Sequence, residues 1–528
     1  MLNKRPLCGR TVVSAICAML SLAAAQEAPS KLTGLTLIDA VRSTLETQPF
    51  IRLQQAQVTT KQGIKLQAGA PFDTLLQTSL TLNHANTPLD TVEATSLGVT
   101  GLVELSNLSN YSLSITKLFR NGTSVASTYQ ANRNINNSID PAVNTSQLNF
   151  TVIVPLGRGR GRGVVDAAEH AATAEVDASL LDLNQLIAQL VANTASSYWN
   201  LVAANELLTI TSDAEKRGGV YVDNVQSLIE ADHVPRSDLN VAAANLADRS
   251  ANRIAAQQQV TVARQQLALD MGVSASQMFR LPDPIDSLPG GEEQPLPADS
   301  SRALQYYLEQ SLLHRADYLA ARRRVDEAQI LLVGAKNSLL PQVNLTLGGG
   351  YSGLQLGKTY SQLFASGAAN VNGPNANLGI SYSFPIANSS ARGQMMQAVA
   401  SKHQNELQEV QVERNISTAV ITATEALRNA IVRLKEAGES VKFFQLALDG
   451  ERERYRVGIS SFVDVLTVED RLTNALTNRV QAQLSYALAL VQFRFATGTI
   501  VAPDRPVQDI APQTLVTFPF DPNAGASP

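Results

Sequence analysis

The chain has 528 residues, 17% of them charged, and a formal net charge of −4. That length holds several globular domains, and the mild acidity excludes a general affinity for nucleic acid. Its two cysteines, Cys8 and Cys17, lie near the amino terminus, so the remainder offers no disulfide framework, thiol nucleophile or thiolate metal site.

The opening MLNKRPLCGR carries Lys4, Arg5 and Arg10 and runs into the apolar TVVSAICAMLSLAAA before the polar QEAPS. A basic n-region, a short h-region and the small pair Ala23 and Ala25 mark residues 1–25 as a secretory signal peptide. The apolar run is too short for a membrane anchor, which needs about 20 residues. Removing the segment takes three of the 42 basic residues and none of the 46 acidic ones, which leaves a net charge of −7.

Beyond it, long helical stretches alternate with short β-like ones, and no apolar run of about 18 residues occurs. Residues 36–69 predict a shorter helix. Residues 164–217 lack Gly and Pro and predict one about 81 Å long. Within it Leu180, Leu183, Ile187, Leu190, Thr194, Ser197, Leu201, Ala204 and Leu208 step by threes and fours, a heptad seam. A second seam lies beside it at Leu181, Ala188, Val191, Ala195, Tyr198 and Val202. Two adjacent seams call for two helical neighbours, as in a bundle or a closed ring of helices. Further helices are expected over 236–271, 301–340, 394–457 and 459–497.

Four β-like stretches precede the long helices: LQTSLTLNH, LNFTVIVP, QVNLTLGGGY and LGISYSFP. In the first, Leu76, Thr78, Leu80 and Leu82 alternate with Gln77, Ser79, Thr81 and Asn83. One apolar and one small polar face over about ten residues suits a barrel strand between lipid and water. It suits a soluble sheet equally well.

The plan is duplicated. Pro155 and Gly163 stand as far apart as Pro385 and Gly393, at an offset of 230. DHVPRSDL aligns with GISSFVDV at offset 226, which matches Asp238 to Asp464, and at that offset Gly272 meets Gly498. Pro71 pairs with Pro341. The expected organisation is a first repeat over 26–280, a Pro/Gly-rich linker over 281–300, a second repeat over 301–498 and a loosely ordered tail over 499–528.

With the signal peptide and the duplication, TLIDAVRSTLETQPF, HRADYLAARRRVDEAQILLVGAKNSLLPQVNLTLGGGY and ERYRVGISSFVDVLTVEDRLTNA give a chain that resembles the TolC-type outer-membrane efflux protein family. The resemblance spans roughly residues 31–498. It implies a mixed α and β membrane protein in which three chains each give four strands to one twelve-stranded outer-membrane β-barrel. A periplasmic α-helical barrel continues it. It also implies a passive exit duct in the cell outer membrane, serving a tripartite efflux pump or type I secretion system. The implied partners are outer-membrane lipid, two further copies, a periplasmic adaptor and an inner-membrane pump.

VPLGRGRGRG, residues 154–163, fails the dinucleotide fingerprint, because the last glycine position is Arg162 or Val164. It follows a strand and opens the longest helix. Pro155, Gly157, Gly159, Gly161 and Gly163, with Pro385 and Gly393 in the second copy, are therefore read as the strand-to-helix joint, where glycine permits angles other residues resist. Arg158, Arg160, Arg162 and Arg392 would lie near lipid headgroups.

Asp238 and Asp464 each follow a helix-to-helix turn. On residues alone, each is a first-turn aspartate favoured by the helix dipole. The resemblance implies that they line a pore constriction, with Arg236, Tyr455, Gly458 and Ser460 at the gate or adaptor contact. A further aspartate implied three residues on is Thr467, and the arginine implied beside the tyrosine falls at Ser460. Crowded carboxylates in such a ring are expected to have raised pKa values.

The five histidines form no i, i+4 pair, and no HExxH, GxSxG or P-loop occurs. Neither a metal, a cofactor nor an enzyme activity is expected. NYSLSITKLFRNGTSVASTYQ, 110–130, alternates around Asn121-Gly122, a hairpin signal. It either extends the strands beyond the membrane or forms an extracellular hairpin. The rival class is an exported coiled-coil structural protein or adhesin without a pore; the duplicated strands with one polar face favour the duct.

Overall fold

The computed structural model describes residues 34–501, apart from 139–141, 233–234, 279–280, 291–299 and 369–370. The signal peptide, residues 291–299 of the linker and the tail past 501 lie outside the described residues.

Helices α1 (Leu37–Thr47) and α2 (Pro49–Gly69) lead into strand β1 (Thr74–Pro88). After a short α3 (Thr91–Ser96) come β2 (Val103–Leu118), β3 (Ser124–Asn136) and β4 (Val143–Pro155). Two long helices follow, α4 (Ala167–Glu230) and α5 (Arg236–Asp270), then a single turn α6 (Ala275–Met278). The second half runs α7 (Ser300–His314), α8 (Ala316–Asn337), β5 (Gln342–Leu356), α9 (Tyr360–Ala365), β6 (Val371–Ser383), α10 (Ser389–Arg456) and α11 (Phe462–Ala496).

At 64 and 68 residues, α4 and α10 are about 96 and 102 Å long. The Gly/Pro-free stretch predicted an end to the first of them at residue 217, yet α4 continues through Gly218-Gly219. A Cβ at Gly218 would press within 3.1 Å of the Arg249 side chain on α5. The missing side chain lets two helices close up, and tertiary contact outweighs the roughly 1 kcal/mol propensity cost. The two shorter stretches are each broken in two, α1 from α2 at Gln48-Pro49 and α7 from α8 at Arg315.

Those breaks are where the duplication is most visible. Gly272 and Gly498 cap α5 and α11, each with φ +71. A Cβ on Gly272 would stand 2.7 Å from the Gln48 Cα, and one on Gly498 would stand 2.9 Å from the His314 carbonyl carbon. Each glycine is pressed into the gap between two helices of its own half. Around them α4 buries Ile187, Val191, Ala195, Tyr198 and Leu201 against α1, α5 and α11. The linker joins this core at its described end: Asp286 accepts hydrogen bonds from the Leu37 amide (2.9 Å) and the Tyr198 hydroxyl (2.8 Å).

One antiparallel sheet takes the strands in chain order, β1 to β6. Cross-strand rows such as Leu80–Tyr111, Leu113–Tyr129–Leu148–Tyr351 and Leu347–Leu378 put the apolar residues on one face. Rows such as Ser79–Ser112 and Thr128–Asn149–Gly350 put small polar ones on the other. Above the apolar band, α9 folds back on the same face, with the Phe364 ring 5.6 Å from Tyr111 and Arg133 4.3 Å over Tyr360.

Two expectations are corrected here. The 110–130 stretch forms neither an extracellular hairpin nor an extension beyond the others, because β2 and β3 lie side by side with β1 and β4 along most of their length. The Asn121-Gly122 turn sits at the helix end of the sheet, where the Gly161 amide donates to the Asn121 carbonyl at 3.0 Å. The sheet of one chain has six strands, where the resemblance implied four. Among the described residues no helix is long and apolar enough to cross a membrane.

Candidate functional sites: the joint and the helix tips

All four sheet-to-helix crossings lie at one end of the sheet. β1 follows α2, β4 leads to α4, β5 follows α8 and β6 leads to α10. The first descending crossing, 156–166, is a collar of left-handed glycines: Gly159, Gly161 and Gly163 have φ +80, +96 and +75. Pro155 ends β4, and Gly157 has ordinary φ but approaches the Pro341 carbonyl so closely that a side chain would collide with it. Amides freed by the winding chain find acceptors. Arg158 donates to the Pro341 carbonyl (3.0 Å), Gly159 to the Asn337 side chain (2.8 Å) and Gly163 to Asp166 (2.5 Å).

The turn between β2 and β3 bolts on to the same collar. Arg120 makes a two-pronged pair with Glu169 in the first turn of α4, both bonds 2.8 Å, and its guanidinium lies 4.8 Å over the Phe72 ring at the foot of β1. The paired guanidinium holds the Glu169 carboxyl below its ordinary value. In the second copy the descent is shorter. Asn388, at φ +44, makes the bend and α10 starts at Ser389, so Gly393 lies inside the helix rather than in the joint, with open space around it. The offset of 230 had matched Gly393 to Gly163, but the first copy has extra residues between strand and helix.

Changing Gly159, Gly161 and Gly163 together to Val forces three β-branched residues into left-handed backbone, at about 1–3 kcal/mol each. The expected outcome is a steep loss of membrane-assembled protein. Wild-type yield in outer-membrane fractions would refute the need for these angles.

At the opposite end the helices turn back in pairs. α10 ends in a Schellman turn: Gly458, at φ +77, donates to the Tyr455 carbonyl (3.0 Å) and Ile459 to Arg454 (2.9 Å). Asp232 makes the matching turn after α4 with φ +59, unusual for a residue with a side chain. Phe462 joins the two turns: its ring lies 5.7 Å from Tyr221 on α4 and 6.4 Å from Tyr455 on α10. Val225, Ala242 and Leu466 complete that cluster.

Asp238 and Asp464 flank it, one residue from Leu239 and two from Phe462. Asp464 is exposed and completes a capping box, its Oδ2 accepting from the Ser461 amide (2.9 Å) and hydroxyl (2.7 Å). Those bonds hold its carboxyl below the ordinary aspartate value, the opposite direction to that expected from crowding, within one chain. Asp238 is half-buried in the first turn of α5, its amide donating to the Pro235 carbonyl at 3.1 Å. Arg236 is exposed and Ser460 half-buried, and Val457, Ile459 and Val463 leave apolar surface on the tip.

Sequence reasoning missed a charged cluster above the tips. Glu469 on α11 is 1% exposed and pairs with Arg217 of α4 (2.5 Å) and Arg249 of α5 (3.4 Å). Arg249 also reaches Asp470 (2.9 Å) and the Ala214 carbonyl (2.9 Å). Burial and the Glu469 bond raise the Tyr221 hydroxyl pKa. The signal was present: Glu469 occupies an apolar stripe between Val465, Leu466 and Leu472, an odd place for a carboxylate. Among the described residues no cluster of His, Cys, Asp or Glu could hold a metal ion.

Comparison with known proteins gives the context of these features. Residues 307–499 match the family model described as outer membrane efflux protein. The chain is 25% identical over 354 residues to the outer membrane protein TolC of Escherichia coli (strain K12), covering 62% of this chain and 67% of that one. It is 22% identical to the outer membrane protein TolC of Salmonella enteritidis, of whose length the match spans 61%. The fold superposes on the Campylobacter jejuni CmeC outer membrane channel with a TM-score of 0.64 at 16% identity, over 91% of this chain and 89% of that one.

Proposed function

We propose, from the premise that this chain is a TolC-like outer membrane efflux protein of the cell outer membrane with a large periplasmic helical part, that it works as a passive homotrimeric exit duct. The observation that carries this reading is the continuity of the chain from an amphipathic sheet, through a glycine collar, into helices about 100 Å long. A sheet with one apolar face belongs in lipid, and its polar face then lines water. Nothing in the chain points to catalysis, so the duct moves cargo supplied with energy by another protein.

On this reading the repeats 26–280 and 301–498 each supply two of the crossings between sheet and helices. Asp238 and Asp464 ring the narrow inner end. Arg236, Tyr455, Gly458 and Ser460 form the surface that a periplasmic adaptor meets, and the apolar Val457, Ile459 and Val463 beside them suit a protein contact. The adaptor in turn joins an inner-membrane pump, of a tripartite efflux system or a type I secretion system.

Cysteine placed at Ser460 or Arg236 tests this, aided by a chain without cysteine after residue 17. Crosslinking in cells is expected to trap an adaptor on a detergent-stable trimer from the outer membrane. A monomer in the soluble periplasm, or crosslinks confined to the far end of the sheet, would overturn the reading.

A further inference from the structure

Among the strand residues of the apolar face, two carry charge, one at each rim. Lys117 stands in the row Lys117–Val125–Val152 at the collar end and donates to the Phe72 carbonyl. Arg133 stands eight residues beyond Val125 on β3, in the row Ser109–Arg133–Asn144–Gln355. At about 3.4 Å per residue and a tilt of about 40°, the two rows lie about 21 Å apart along the membrane normal. That is close to the height of an outer-membrane apolar band, about 25 Å.

Lys117 is satisfied, whereas Arg133 is not. Arg133 is 3% exposed, its Nη2 donates to the Lys358 carbonyl, and the Tyr360 ring lies 4.3 Å from its guanidinium. Its Nε and Nη1 have no acceptor. Among the described residues no carboxylate pairs with it. Glu104, from β2, projects from the opposite face, where Asn136 (3.1 Å) and Ser138 (3.4 Å) donate to it. Beside Arg133, the Asn144 Oδ1 and Ser146 Oγ atoms are buried without a partner as well. A buried guanidinium short of acceptors and of counter-charge is costly.

The cover over this cluster is fitted closely in all but one place. Side chains at Gly353 or Gly367 would run into the Ser366 carbonyl or the Ser146 hydroxyl, so α9 and the turn Ser366–Ala368 lie flush on β4 and β5. Tyr360 is the exception: it is 62% exposed and caps the guanidinium with one ring.

We propose that Arg133 anchors a binding site for an anionic phosphate at the outer rim of the apolar face, uncovered by movement of the Tyr360 ring. This rests on the reading above of that face as the lipid side. An anionic phosphate brings both the acceptors and the charge that the guanidinium lacks, and arginine suits phosphate better than any other side chain. The level favours a phosphate carried by a lipid, since headgroups lie where the apolar band ends. Leu148 and Tyr351, exposed two rows below, offer surface to an acyl chain.

Calorimetric titration of the full-length, detergent-solubilised protein tests this, with dihexanoyl phosphatidic acid and inorganic phosphate as probes. Saturable binding of the lipid is expected, weakened about tenfold or more in Arg133→Gln and strengthened in Tyr360→Ala. The second variant decides the matter even where the first does not assemble. Inorganic phosphate binding as tightly as the lipid would support the site and assign it to the free ion. Lipid affinity unchanged in Arg133→Gln would place the phosphate on other arginines, such as Arg160 and Arg162, and overturn the proposal. Absence of binding in both the parent and Tyr360→Ala would also overturn it. Asp140 lies outside the described residues; a gain in lipid affinity in Asp140→Asn would make it the counter-charge of Arg133 and overturn the proposal too. Each of these outcomes leaves the protein in the outer membrane, whereas protein found in the soluble periplasm would overturn the reading beneath.

Discussion

Protein carrying Asp238→Asn and Asp464→Asn loses its preference for cations in planar bilayers and its block by multivalent cations. On the proposed trimeric reading the two positions would bring six carboxylates to one narrow axis, and rings of carboxylates select cations by electrostatics. Asparagine keeps the size and an oxygen to accept the Ser461 bonds, so the cap on α11 survives while the charge goes. The pH dependence follows from the same bonds. The Asp464 pKa lies below its ordinary value, so the cap is fully present above the unfolded aspartate value and is lost only as pH falls through the depressed folded one. Mild acid should therefore leave Asp464 charged. Unchanged selectivity and block in the double variant would make both residues helix caps alone.

The second large effect is expected at Glu469. Changing it to Gln leaves Arg217 without the carboxylate it pairs with and Arg249 with Asp470 alone, and breaking a buried pair from one side costs up to about 3–5 kcal/mol. Because Glu469 belongs to the second half and both arginines to the first, the loss falls on the contact that holds the helix pairs together above the tips. The melting temperature of the detergent-solubilised protein should drop and resting conductance should rise. Replacing Glu469 and Arg249 together by Leu and Met should recover much of the stability, since a well-packed apolar pair is often neutral in place of an ionic one. A single variant that melts and conducts like the parent would deny the cluster any part in closing the tips.

Much of the architecture was legible because it is periodic. The seam from Leu180 to Leu208 and the alternation from Leu76 to Leu82 repeat often enough to fix element type without tertiary information. What escaped depends on partners remote in sequence. Gly218 looks like a helix end until Arg249 is brought against it. The hairpin at Asn121-Gly122 was visible, but its place in the sheet depends on Arg120 meeting Glu169, 49 residues away. At the tips the reading found the turns and both aspartates, while Glu469 was hidden because a charged letter in a helix usually means a wet face. Gly393 misled for the opposite reason, since matching by offset ignores a difference in length between the two descents.

The proportions of the fold bear on how fast anything gets out. Diffusive resistance along a water-filled conduit is proportional to length over cross-sectional area, and segments in series add. The longest strand, β2, has 16 residues and rises about 53 Å, while α4 and α10 are about 100 Å long. On the proposed reading as an exit duct, a conduit of even bore would meet about two thirds of its resistance in the helical segment. A solute that reaches the collar would then have most of its delay behind it.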